Sequence, residues 1–71
     1  MLRNKLEAFR LKMSADSGKE ITQLEFSKML GVGQSQYSRY ASQQAQPSLE
    51  VAFKLAKKLN CKIEDLFEPP E

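Results

Sequence analysis

The chain has 71 residues, 41% of them hydrophobic and 28% charged, with a net charge of +2, one cysteine and no histidine. One small domain is expected, because a second core needs more apolar surface than this length supplies, and the composition is that of a globular chain. The lone Cys61 excludes an internal disulfide. Without histidine, neither a zinc site nor a Ser-His or Cys-His pair can be assembled, so no enzyme activity and no cofactor are expected. No run approaches the roughly 18 apolar residues that span a bilayer. The opening MLRNKLEAFRLK lacks the continuous apolar core of a signal peptide, which makes a cytoplasmic protein the expectation.

The net charge hides an asymmetry. Residues 1–62 carry eleven Lys or Arg against five Asp or Glu, giving +6, while residues 63–71 carry Glu64, Asp65, Glu68 and Glu71 and no base, giving −4. A basic body suits a polyanionic partner, and an acidic tail is expected to point away from it.

In chain order, Leu2, Leu6, Phe9 and Met13 recur at helical spacing and predict an amphipathic first helix from about residue 2 to 14. Turn formers follow, with Gly18 as the expected stop. Thr22 with Glu25 forms a capping-box pattern, and Ile21 before it can staple onto Phe26. A second helix therefore begins near Gln23 and ends at Gly31, where a left-handed C-cap is tolerated. Val32 bridges to a third helix from about Gln34 to Gln43, with Gly33 as a weak cap.

Pro47 disfavours a helical Gln46, so residues 41–46 are expected to cross as a loop. Ser48 caps a fourth helix that ends at Asn60. Its expected buried stripe is Leu49, Ala52, Phe53, Ala56 and Leu59, with Lys54, Lys57 and Lys58 opposite. Cys61 then reads as a small buried hydrophobe. Ile63, Leu66 and Phe67 suit a short fifth helix before Pro69 and Pro70.

The segment from Gln23 to Ser42 carries the chemistry. Apolar Phe26, Leu30, Val32, Tyr37 and Tyr40 fall where two short helices must touch, which leaves Gln34, Ser35, Gln36, Ser38 and Arg39 pointing elsewhere. Gln, Ser and Arg are side chains that read base edges in a DNA major groove. Tyr37 and Tyr40 are expected in the core rather than as stacking platforms.

With TQLEFSKMLGVGQSQYSRY (22–40) followed by PSLEVAFKLAKKLNCKIEDLF (47–67), the chain resembles the lambda-repressor-like, Cro/cI-type family of helix-turn-helix proteins, also called XRE-like. The likeness implies an all-α fold: a compact five-helix domain over residues 1–68 with the helix-turn-helix at helices 2 and 3, followed by a short acidic tail at 69–71. It departs from the family pattern at Ser27, usually alanine, and at Leu24, usually polar. It departs again at Ala41-Ser42-Gln43, where the family has a basic loop, and in its longer connection between helices 1 and 2.

In such a fold helix 3 lies in the major groove and helix 2 crosses the backbone. The resemblance then implies a sequence-specific regulator of transcription, a repressor, acting on double-stranded DNA as a homodimer at a palindromic operator. Gln23 matches a phosphate-gripping position, and its amide is expected also to brace Gln34. Gln34, Ser35 and Arg39 are expected to reach bases, with Gln36 next in line. Ser38, Gln43 and Gln44 are expected to touch phosphates. The fifth helix with the tail is the candidate surface for self-association. No small-molecule effector is evident. An antitoxin of a toxin–antitoxin pair, or a helical protein-interaction module that has lost DNA binding, are the alternatives.

Overall fold

Caps and glycines divide residues 2–68, the part of the chain that the computed structural model describes, into four α-helices and one 3-10 turn. These are α1 (Leu6–Ser17), α2 (Gln23–Leu30), α3 (Gln34–Ala41), α4 (Leu49–Leu59) and the turn Ile63–Leu66. The acidic tail expected at 69–71 lies outside the described residues.

Where the expected caps are present, the helices begin and end as the local chemistry requires. The Thr22 hydroxyl accepts the Glu25 amide at 3.1 Å, and the Glu25 carboxylate accepts from the Thr22 amide in return. The Ser48 hydroxyl accepts the Val51 amide at 3.2 Å. Gly31 closes α2 and Asn60 closes α4, both in the left-handed region, with φ of 74° and 53°.

Four expectations are corrected. First, α1 runs over 6–17 rather than 2–14. Residues 3–5 are instead drawn into an extended pairing with the chain's other end: the Lys5 amide donates to the Leu66 carbonyl at 2.7 Å, and the Glu68 amide donates to the Arg3 carbonyl at 2.8 Å. At its far end α1 continues to Gly18. Ser14 assists by donating to the Arg10 carbonyl and accepting the Ile21 amide at 2.9 Å, so it ties the helix to the segment that follows. Residues 15–17 of the long connection are thus helix.

Second, there is no fifth α-helix among the described residues: Ile63–Leu66 is a single 3-10 turn. Phe67 is already extended and bridges to Asn4, so backbone groups that a further helical turn would use are committed to the N-terminal segment. Third, α3 stops at Ala41 because Gln43 takes a left-handed conformation, φ 66°.

Fourth, the buried face of α4 is rotated. Ala52, Leu55 and Ala56 are buried, whereas Leu49 is 69% and Phe53 58% exposed. Apolar residues at 49, 51, 52, 53, 55, 56 and 59 cover roughly 200° of the helix at about 100° per residue, which is wider than one buried face. Spacing alone therefore cannot choose the inward side; packing against α2 and the 3-10 turn does.

The core joins Leu6, Ile21, Phe26, Leu30, Tyr37, Tyr40, Leu55, Ala56 and Leu66. Ser27 is buried with them, its hydroxyl returned to the Leu24 carbonyl at 2.7 Å. Cys61 packs half-buried beside them, and burial together with the nearby charge of Asp65 raises its thiol pKa.

Candidate nucleic-acid interface

The turn between α2 and α3 is set by backbone hydrogen bonds. The Gly31 amide donates to Lys28 and Ser27 carbonyls, and the Val32 amide donates to Ser27 at 3.0 Å. Gly33 then enters α3 extended, and Tyr37 and Tyr40 bury themselves against α1 and α2. Tyr37 meets Phe26 edge-on, with ring centres 5.6 Å apart and planes at 86°. With those two tyrosines inward, Gln34, Ser35, Ser38 and Arg39 are exposed and Gln36 is half-buried. Gly33 has no side chain to cap with, so the first amides of α3 have no side-chain acceptor and are available to an anion.

A polar hub fixes this pair of helices on α1. Glu7 is bound by Arg10 through Nε and Nη2, at 2.8 and 3.1 Å, by the Tyr37 hydroxyl at 2.6 Å and by the Gln23 amide at 2.7 Å. Arg10 also donates to the Ile21 carbonyl at 2.8 Å. Burial alone would raise the Glu7 carboxyl. The hydrogen bonds from Arg10, Tyr37 and Gln23, with the Arg10 charge, outweigh it and hold the carboxyl below its ordinary value. Burial and the bond to Glu7 push the Tyr37 hydroxyl far up, so it is always the donor.

The brace expected from Gln23 to Gln34 is therefore corrected: Gln23 donates to Glu7. Its amide nitrogen retains a second hydrogen, and the residue is exposed at the first position of α2. Nothing in residue order singles out Glu7 or Arg10 as the centre of such a hub. Their three-residue spacing is compatible with an ion pair on one helix face, but nothing in the sequence links them to residues 16 and 30 positions away from Glu7.

The connection after α3 also differs from expectation. Gln43 does not offer its side chain outward. Its oxygen accepts the Asn4 amide at 3.0 Å and its nitrogen donates to the Asn4 carbonyl at 3.1 Å, so its amide is already occupied within the fold. Gln44 is exposed. A groove of about 290 Å³ runs between α1, α2 and α4, lined by Phe9, Met13, Met29, Leu30 and Leu59 with Lys12, Asp16 and Lys58; it includes no residue of α3.

Two short helices joined through a left-handed glycine, apolar toward the body and polar on the exposed side apart from Leu24 and Met29 of α2, define a helix-turn-helix protein. The chain belongs to the helix-turn-helix family of the XRE, Cro/cI-like type, which residues 18–66 match. No curated protein matches the chain. The family is one of DNA-binding regulators, generally without enzymatic activity. None of the described helices is long and apolar enough to cross a membrane.

Proposed function

We propose that this chain is a sequence-specific regulator of transcription, a repressor, that acts in the cytoplasm by laying α3 into the DNA major groove. The observation that carries the reading is the joint exposure of Gln34, Ser35 and Arg39 on a helix whose Tyr37 and Tyr40 are buried. Glutamine pairs bidentately with adenine and arginine with guanine, so these three reach bases, with Gln36 beside them. Gln23, Ser38 and Gln44 contact phosphates. The Glu7 bond to Gln23 presets the direction of its amide, so less conformational entropy is lost when a phosphate arrives.

Residues 1–68 serve as the DNA-binding domain. Arg39 is the one base between Gly33 and Pro47, which leaves a single subunit with little counterion-release affinity. A homodimer on a palindromic operator compensates, because half-sites about one helical turn apart each add their contacts. Exposed Leu49 and Phe53 supply apolar surface for the second copy, in place of the fifth helix that the sequence suggested.

Selection from fragments of the host genome tests the reading. A shared sequence with inverted symmetry is expected among the bound fragments. Enrichment of no common sequence, or binding that salt abolishes equally for every DNA, would overturn it.

A further inference from the structure

We propose that Asn4, which is buried away from any duplex, is a positioning residue for DNA recognition: it holds the last turn of α3 and the connection behind it in the shape that presents Arg39 and Gln44. This assignment rests on the DNA-binding reading above. Among the described residues Asn4 and Ser27 are the buried polar ones, and Asn4 is 5% exposed. All its polar groups are engaged. Its side-chain nitrogen donates to the Tyr40 carbonyl at 2.8 Å and to the Gln46 side-chain oxygen at 3.0 Å, and its side-chain oxygen accepts the Leu6 amide at 3.2 Å. Its backbone exchanges two bonds with the Gln43 side chain, and Gln46 donates to the Gln43 oxygen at 2.8 Å.

Three carboxamides, Asn4, Gln43 and Gln46, are thus interlocked around one buried site. The loop they enclose is the one leaving α3. Gln44 and Ala45 amides both return to the Arg39 carbonyl, at 2.9 and 3.2 Å, so the backbone of Arg39 and the course of the connection are mutually dependent. Gln43 sits in the left-handed region, which residues other than glycine, asparagine and aspartate seldom occupy. Its two bonds to Asn4 offset that strain. Without them Gln43 relaxes toward an ordinary conformation, the last turn of α3 frays, and Arg39 and Gln44 lose their fixed directions. The segment that replaces the basic loop of the family pattern is, in this chain, anchored from behind.

The test uses the full chain with Asn4→Ala and Gln43→Ala, singly and together, and Leu59→Ala as a destabilised control outside the network. DNA affinity is measured per folded molecule, well below each unfolding transition, and amide hydrogen exchange is measured without DNA. Each single variant is expected to lose affinity for the selected site by about fivefold or more. The double variant should be little worse than the poorer single one, since all act through one network. Exchange should quicken at residues 42–45 while α4 amides keep their protection. Leu59→Ala should lower stability and leave the affinity of the folded molecule unchanged.

Undiminished affinity of folded Asn4→Ala and Gln43→Ala, or unchanged exchange at 42–45, overturns the assignment while leaving the DNA-binding reading intact. A parent chain that selects no DNA sequence overturns that reading and this assignment with it. If Asn4→Ala does not fold, the milder Gln43→Ala decides by the same two measurements.

Discussion

Glu7 gathers Arg10, Gln23 and Tyr37 from three helices, and its charge is therefore part of what holds α2 and α3 in place. Because its folded pKa lies below the ordinary glutamate value of 4.5, the carboxylate contributes stability that is fully present above that value. That contribution is lost as pH falls through the lower folded value. Glu7→Gln should be less stable than the parent at neutral pH by about 1–3 kcal/mol, and the gap should narrow in acid, as read by denaturant unfolding across pH. An equal gap at every pH would show that the charge is not what matters. At the proposed DNA surface two residues should behave differently. Arg39→Ala should cost about 1–3 kcal/mol at one base position and relax preference there, whereas Gln23→Ala should weaken all sequences alike. Competition against a panel of single-base variants separates the two.

At the level of elements, the turn between α2 and α3 depends on Gly31, and the end of α1 on Gly18; both have φ of 74°. A side chain at Gly31 would place its Cβ 2.8 Å from the Lys58 ammonium, whereas one at Gly18 would meet nothing within 4 Å. The Lys58 tip is the far end of a flexible chain and can move, so left-handed strain of about 1–2 kcal/mol should dominate both Gly31→Ala and Gly18→Ala. Nearly equal losses on denaturant unfolding are expected. A much larger loss at Gly31 would mean that Lys58 is rigidly held at the C-terminal end of α2.

At the scale of the whole molecule, the proposed dimer needs a surface, and Phe53 is its most exposed aromatic side chain. Phe53→Ser should leave the unfolding free energy within about 0.5 kcal/mol, since little buried area is lost. It should also reduce two-subunit occupancy of the operator, read by mass or sedimentation of the complex. Unchanged occupancy would move the contact elsewhere.

The capping box at Thr22, the Ser48 cap, the two glycine stops, the break at Pro47 and the inward tyrosines were all legible from residue order, because each depends on neighbours within about four positions. Those local signals delimited α2 and placed Gln34, Ser35 and Arg39 on the free side of α3. What only the tertiary structure decided lies in contacts between distant residues. The pairing of residues 3–5 with 66–68 trims α1 and limits the final segment to one 3-10 turn. Packing against α2 and the 3-10 turn chooses which arc of the broadly apolar α4 is buried. Gln43 and Gln44 are adjacent and chemically identical, yet one is tied inward to Asn4 and the other is exposed. Local patterning cannot separate them, because the partner that distinguishes them is 39 residues away.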